Sequence, residues 1–156
     1  MTGRHLLAWV ALFAVLGAGC GVRPSGVIRG VPAPSGPAEG ATLYFLAGSS
    51  LTPVRRPTRQ PLWPTQTLAL LQQGPTPDER AADLTSEVPA GLGAVTVTTD
   101  PSGTVTVVVT ADVTTLTTAA VDQITCTLRD ALSTSAPITL TGGAATRGPL
   151  LCPLTG

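Results

Sequence analysis

Residues 95–132 read VTVTTDPSGTVTVVVTADVTTLTTAAVDQITCTLRDAL, and the change of period within them decides the fold class. Val95 and Val97 alternate with Thr96 and Thr98, and Val105, Val107 and Val109 resume the alternation further on. Side chains two apart share one face of a strand, so a valine face is directed at a core. Between the runs, Asp100-Pro101-Ser102-Gly103 places Asp, Pro and Gly where a type I turn prefers them, which makes the pair a hairpin. The period then switches. Val121, Ile124, Leu128 and Leu132 follow at spacings of 3, 4 and 4, backed by Ala120 and Ala131. That stripe predicts a helix over 117–132.

Working outward, Thr42-Leu43-Tyr44-Phe45-Leu46 is short, β-prone and bounded by glycines, as an inner strand would be. The stretch Gly48 to Pro61 carries prolines and arginines and reads as a loop. Thr65 is placed to cap a helix holding Leu68, Leu70 and Leu71, stopped by Gly74-Pro75. Thr76-Pro77-Asp78-Glu79 opens a second, short helix ending near Leu84. In it, Thr76 is the N-cap, Pro77 the first helical residue and Glu79 the partner in a capping box. A last strand, Ile138 to Thr141, precedes Gly142-Gly143 and a tail. The order β-α-β-β-α-β predicts an α+β domain over 41–154, with a small antiparallel or mixed sheet and helices packed on one face. Its 114 residues suffice to bury about two thirds of the unfolded surface.

Ahead of the domain, Gly21 to Gly40 holds five Gly, four Pro and two Ser with no hydrophobic period, so 20–40 reads as a tether. At ~3.1 Å per residue it would reach roughly 60 Å. Arg23 and Arg29 either touch anionic head groups or simply solvate it. Earlier still, Arg4 is followed by Leu6 to Leu16, eleven residues without a polar side chain. A membrane span needs about 20 apolar residues, so residues 1–19 have the form of a signal peptide. Leu16-Gly17-Ala18-Gly19-Cys20 resembles the lipobox of bacterial lipoproteins, departing from its commonest form at Gly17. The resemblance implies cleavage before Cys20 and a diacylglyceryl anchor on its sulfur, two acyl chains being enough for stable attachment. Cleavage near Ala18 with a free Cys20, or an uncleaved anchor, are the competing readings.

Charge and composition exclude several functions. The 156 residues carry nine Lys+Arg and nine Asp+Glu, and every cation is arginine. A nucleic-acid binder would be strongly basic, so no nucleic-acid partner is expected. His5 is the sole histidine and lies in the leader, which leaves a mature chain without imidazole for a catalytic triad or a histidine metal site. Serines and threonines then lack a base, and without lysine no Walker motif exists. No catalytic residue, metal or cofactor is expected.

With Cys20 assigned to lipid, Cys126 and Cys152 remain as a pair. At about 100° per residue, Cys126 stands away from the apolar stripe and beside Asp122, Arg129 and Asp130. A free cysteine behaves as a small hydrophobe and belongs on the buried side, so this placement predicts a disulfide. The tail would return over the outer side of the helix, with Leu150 and Leu151 packing there. Closing 25 intervening residues is worth roughly 3–4 kcal/mol in the chain-entropy model.

Leu43-Tyr44-Phe45-Leu46, Leu51, Pro53-Val54-Arg55-Arg56, Leu68 and Leu71 before Gly74-Pro75-Thr76, Glu79-Arg80 and Val88-Pro89-Ala90-Gly91 together resemble a GerMN domain, the module of sporulation and germination lipoproteins. Where that family usually has an Asp in the outgoing hairpin strand, Val107-Val108-Val109-Thr110 is uninterrupted. The element order permits a ferredoxin-like sandwich, and the resemblance implies a ring-building-motif-like fold and a non-enzymatic role, similar to domains that assemble envelope complexes. The expectation is a lipid-anchored, extracytoplasmic protein with a protein partner in the cell envelope. The alternatives are a module binding wall glycan or anionic polymer, and a carboxylate-dependent wall hydrolase.

Two groups of side chains are candidates. Arg55, Arg56 and Arg59 form the one basic cluster, able to meet a partner's carboxylates or to solvate a loop. Trp63, between Leu62 and Pro64, is either core edge or a platform for a partner. Asp78, Glu79, Asp83 and Glu87 are the densest acids; a hydrolytic pair among them competes with plain helix capping and solvation.

Overall fold

The computed structural model describes residues 40–93 and 95–154. The expected signal peptide, Cys20 and all of the expected tether except Gly40 lie outside the described residues. From there the elements run β1 (Gly40–Ala47), β2 (Ser50–Pro57), α1 (Pro64–Gln72), α2 (Pro77–Ala81), β3 (Leu84–Thr85), β4 (Val95–Thr99), β5 (Val105–Val109), α3 (Thr118–Leu132), β6 (Ile138–Gly142) and β7 (Ala145–Leu150). The α+β class and the mixed strand pairing are as expected. The strands are divided, however, between a three-stranded sheet ordered β2-β1-β3 and a four-stranded sheet ordered β4-β5-β6-β7. Pairing is antiparallel except between β5 and β6, which α3 connects. Parallel neighbours need such a crossover.

The hairpin forms where the valines and the turn place it. Val105, Val107 and Val109 are buried, and Leu43, Phe45, Leu68, Leu71, Leu92, Ile124, Leu128, Ile138 and Leu140 complete the core. The predicted stripe of α3 packs inward through Val121, Ile124 and Leu128, and Thr117 caps the helix by accepting from the Ala120 amide at 3.1 Å. Gly142, at the end of β6, has to be glycine. An added Cβ there would collide with the carbonyl of Ala111 and with Val109.

Four local readings change. The proline- and arginine-bearing stretch expected as a loop forms β2 over Ser50–Pro57, paired along its whole length with β1. Its prolines tolerate this because of phase. The Tyr44 backbone turns its N–H and C=O away from β2, toward α3, so Tyr44 and Pro53 are a non-hydrogen-bonded pair. Pro53 and Pro57, two pairs apart in the same phase, therefore direct their missing N–H groups outward, the position in which an edge strand accepts proline. The first helix begins a residue or two early, with Trp63 as N-cap and Pro64 in the first turn, and the Gln66 side chain accepts from the Trp63 amide at 2.9 Å. The second helix ends at Ala81, and Leu84–Thr85 pair with β1 as β3. The tail is strand β7, which half-buries Leu150 but leaves Leu151 65% exposed, contrary to the packing expected of it.

Candidate functional site

The basic cluster is taken apart by strand geometry. Alternation along β2 puts Arg55 on one face and Arg56 on the other. Arg56 crosses to the short helix: its Nε donates to Glu79 Oε1 at 2.9 Å, and its Nη2 reaches Glu79 Oε2 and, at 2.8 Å, the Gly74 carbonyl. The guanidinium carbon also lies 5.1 Å from the centre of the Phe45 ring. The two side chains are only 15% and 14% exposed. Arg56 is thus a brace between β2 and α2 rather than a surface cation. Arg55 and Arg59 are exposed.

The acidic group has structural work as well. Glu79 completes the predicted capping box, accepting from the Thr76 amide at 2.8 Å while Thr76 Oγ1 accepts from the Glu79 amide. The Arg56 hydrogen bonds, aided by the Thr76 amide, hold its carboxyl below the usual glutamate range. Glu87 accepts from the Thr117 hydroxyl, beside the start of α3. Asp78 and Asp83 are exposed. Among the described residues, no group of three or more His, Cys, Asp or Glu side chains is placed to hold a metal ion.

Trp63 is where the structure concentrates exposed apolar surface. The indole is 75% exposed, against the core-edge placement that its flanking Leu62 and Pro64 favoured. It stands on the wall of an open groove of about 800 Å³, together with Leu62 and Pro64. Val97 and Thr99 of β4 and Leu132 at the end of α3 line it as well. Of the other three residues singled out with Trp63 as an interface, none lines this groove. What joins Trp63 instead is the end of the hairpin, which only tertiary packing could reveal.

Cys126 and Cys152 are disulfide-bonded, with their Cα atoms 4.8 Å apart, as the helical-wheel position of Cys126 predicted. The cysteine is fully buried, because the tail covers the side of α3 that its own apolar stripe leaves open. Arg129 locks the same tail by donating to the Leu154 carbonyl at 2.9 Å.

A family model described as Germane, sporulation and spore germination, matches residues 42–142. The chain belongs to the Germane family. No curated protein and no solved structure matches it. The match begins in β1 and ends with β6, so the Germane segment holds the hairpin, the three α-helices among the described residues and the Trp63 groove. Strand β7 and Cys152 follow it, and the disulfide ties this flank to the Germane core.

Proposed function

We propose that this Germane protein is a lipid-anchored, extracytoplasmic component of the cell envelope that works by binding another protein, as a scaffold or accessory part. The observation that carries the reading is the Trp63 groove. An indole 75% exposed beside an apolar cleft costs solvation with no return inside the fold, and large aromatics of this kind anchor protein interfaces. The disulfide supports the address, since such bonds persist outside the reducing cytoplasm. The lipobox-like run ending at Cys20 supports the anchor. The role is non-catalytic: Glu79, the best-placed acid of its group, is held by Arg56 and by the Thr76 amide.

Two measurements test the reading. Fatty-acid labelling in cells should mark the native chain and leave Cys20→Ser unlabelled and released from membranes; an unlabelled native chain removes the anchor. Affinity capture from crosslinked membranes should return a reproducible protein partner whose yield drops with Trp63→Ser. Retention on purified wall material with no protein captured would favour glycan binding instead.

A further inference from the structure

The two sheets have four outer edges, and one of them is unlike the others. The β2 edge presents Pro53 and Pro57 with Arg55 between them, and the β7 edge carries Pro149, the Arg147 side chain turning instead to the Val113 and Leu116 carbonyls. Prolines and charges of this kind stop a further strand from adding. On the other side of the three-stranded sheet, β3 is only two residues long. Strand β4, the first of the four-stranded sheet, has the sequence Val95-Thr96-Val97-Thr98-Thr99, without proline, glycine or charge.

The hairpin fixes which backbone groups that edge shows. The Asp100 amide donates to the Thr104 carbonyl at 3.1 Å, so Asp100 and Thr104 are a hydrogen-bonded pair. Antiparallel pairs alternate, which makes Thr98 with Thr106 and Thr96 with Val108 hydrogen-bonded and leaves Val95, Val97 and Thr99 in the other phase. The N–H and C=O groups of Val95, Val97 and Thr99 therefore point away from β5, and no hydrogen bond from another described residue reaches them. Their side chains lie on the core side of the sheet, where Val97 and Thr99 line the Trp63 groove. The open edge and the exposed indole share one flank of the molecule.

We infer that β4 pairs with β4 of a second copy of this chain, antiparallel and centred on Val97. This rests on the proposed role in protein association and names the partner. The register is self-complementary: Val97 faces Val97, and Val95 faces Thr99, so every outward N–H and C=O of the three residues is satisfied on both sides. Electrostatics permits like to meet like, because the strand is uncharged and Thr96 falls opposite Thr98. A five-residue strand spans only roughly 17 Å, too little contact for a stable dimer by itself. Opposed residues in an antiparallel pair point to the same side, so both helical layers lie on one face and the two Trp63 grooves flank the seam, adding the missing apolar area. The contact is isologous and closes at two copies.

The register supplies the test. Thr96 and Thr98 are exposed on the outer face, where substitution leaves the core alone. Native mass spectrometry of the full chain in detergent should show a dimer for the native protein and monomers for Thr96→Lys/Thr98→Lys and for Thr96→Glu/Thr98→Glu. Mixing the two variants should restore a dimer of mixed mass. A monomeric native chain, variants that dimerise as well as the native chain, or folded variants that fail to pair on mixing would each overturn the inference. Hydrogen exchange on the native chain needs no variant: the Val97 and Thr99 amides should gain protection, tenfold or more, as concentration rises, and exchange independent of concentration is equally fatal. A monomer that still captures a different protein through Trp63 would leave the broader association reading standing.

Discussion

Gln123 is fully buried, and its amide is spent on three partners. Its Nε2 donates to the Tyr44 carbonyl at 2.9 Å and to Ser86 Oγ at 3.3 Å, while its Oε1 accepts from the Glu87 amide at 2.9 Å. One turn later Thr127 Oγ1 accepts from the Tyr44 amide at 3.1 Å. Helix α3 thereby satisfies the backbone of β1 where a strand would otherwise have to pair, and side chains four apart on a helix share the face needed to do it. Gln123→Leu keeps the volume but strands the Tyr44 carbonyl and the Glu87 amide, and should lower unfolding free energy in urea by about 2–4 kcal/mol. At Glu79 the sign of the pH effect follows from a depressed pKa. Its contribution is fully present above the ordinary glutamate value and is lost as pH falls through the lower folded-state value. Acid titration should therefore cost the native chain more stability than Glu79→Gln, whose profile should be flatter in that window.

Among the elements, α3 depends on its two ends. Its C-cap is Ser133 at φ 49°, a left-handed conformation that glycine adopts without a Cβ penalty. Ser133→Gly should raise thermal stability by up to about 1 kcal/mol, read from the unfolding midpoint. The disulfide acts on the pair α3 and β7. Cys126→Ser with Cys152→Ser opens a loop of sequence separation 26 and should cost roughly 3–4 kcal/mol, with a matching fall in midpoint when the native protein is reduced. Strand β2 shows how an element escapes a local reading. Proline content marks a loop only when the missing N–H was needed, and in β2 the phase against β1 makes it dispensable.

At the scale of the domain, the prolines of β2 close one sheet edge to strand addition, while the bare edge of β4 leaves another open. Pro53→Thr with Pro57→Thr should leave the fold intact yet open a second edge, giving concentration-dependent light scattering absent from the native chain. The hairpin, the apolar stripe of α3, the capping box at Thr76 and the Cys126–Cys152 bond were legible because each is set by residues a few positions apart, or by the side of a helix on which one residue falls. The two-sheet division, the burial of Gln123 and the capture of Arg56 by Glu79 were not, because each depends on which distant segment arrives alongside. The same holds for the candidate surface. Trp63 was visible as either core edge or a partner platform, with core edge favoured, but its exposure and its proximity to Val97 exist only once α1 and β4 are packed. Local sequence fixes periodicity, caps and turns through short-range sterics and hydrogen bonds; only the tertiary structure decides which backbone and aromatic groups are left without a partner, since that is a property of contacts distant in the chain.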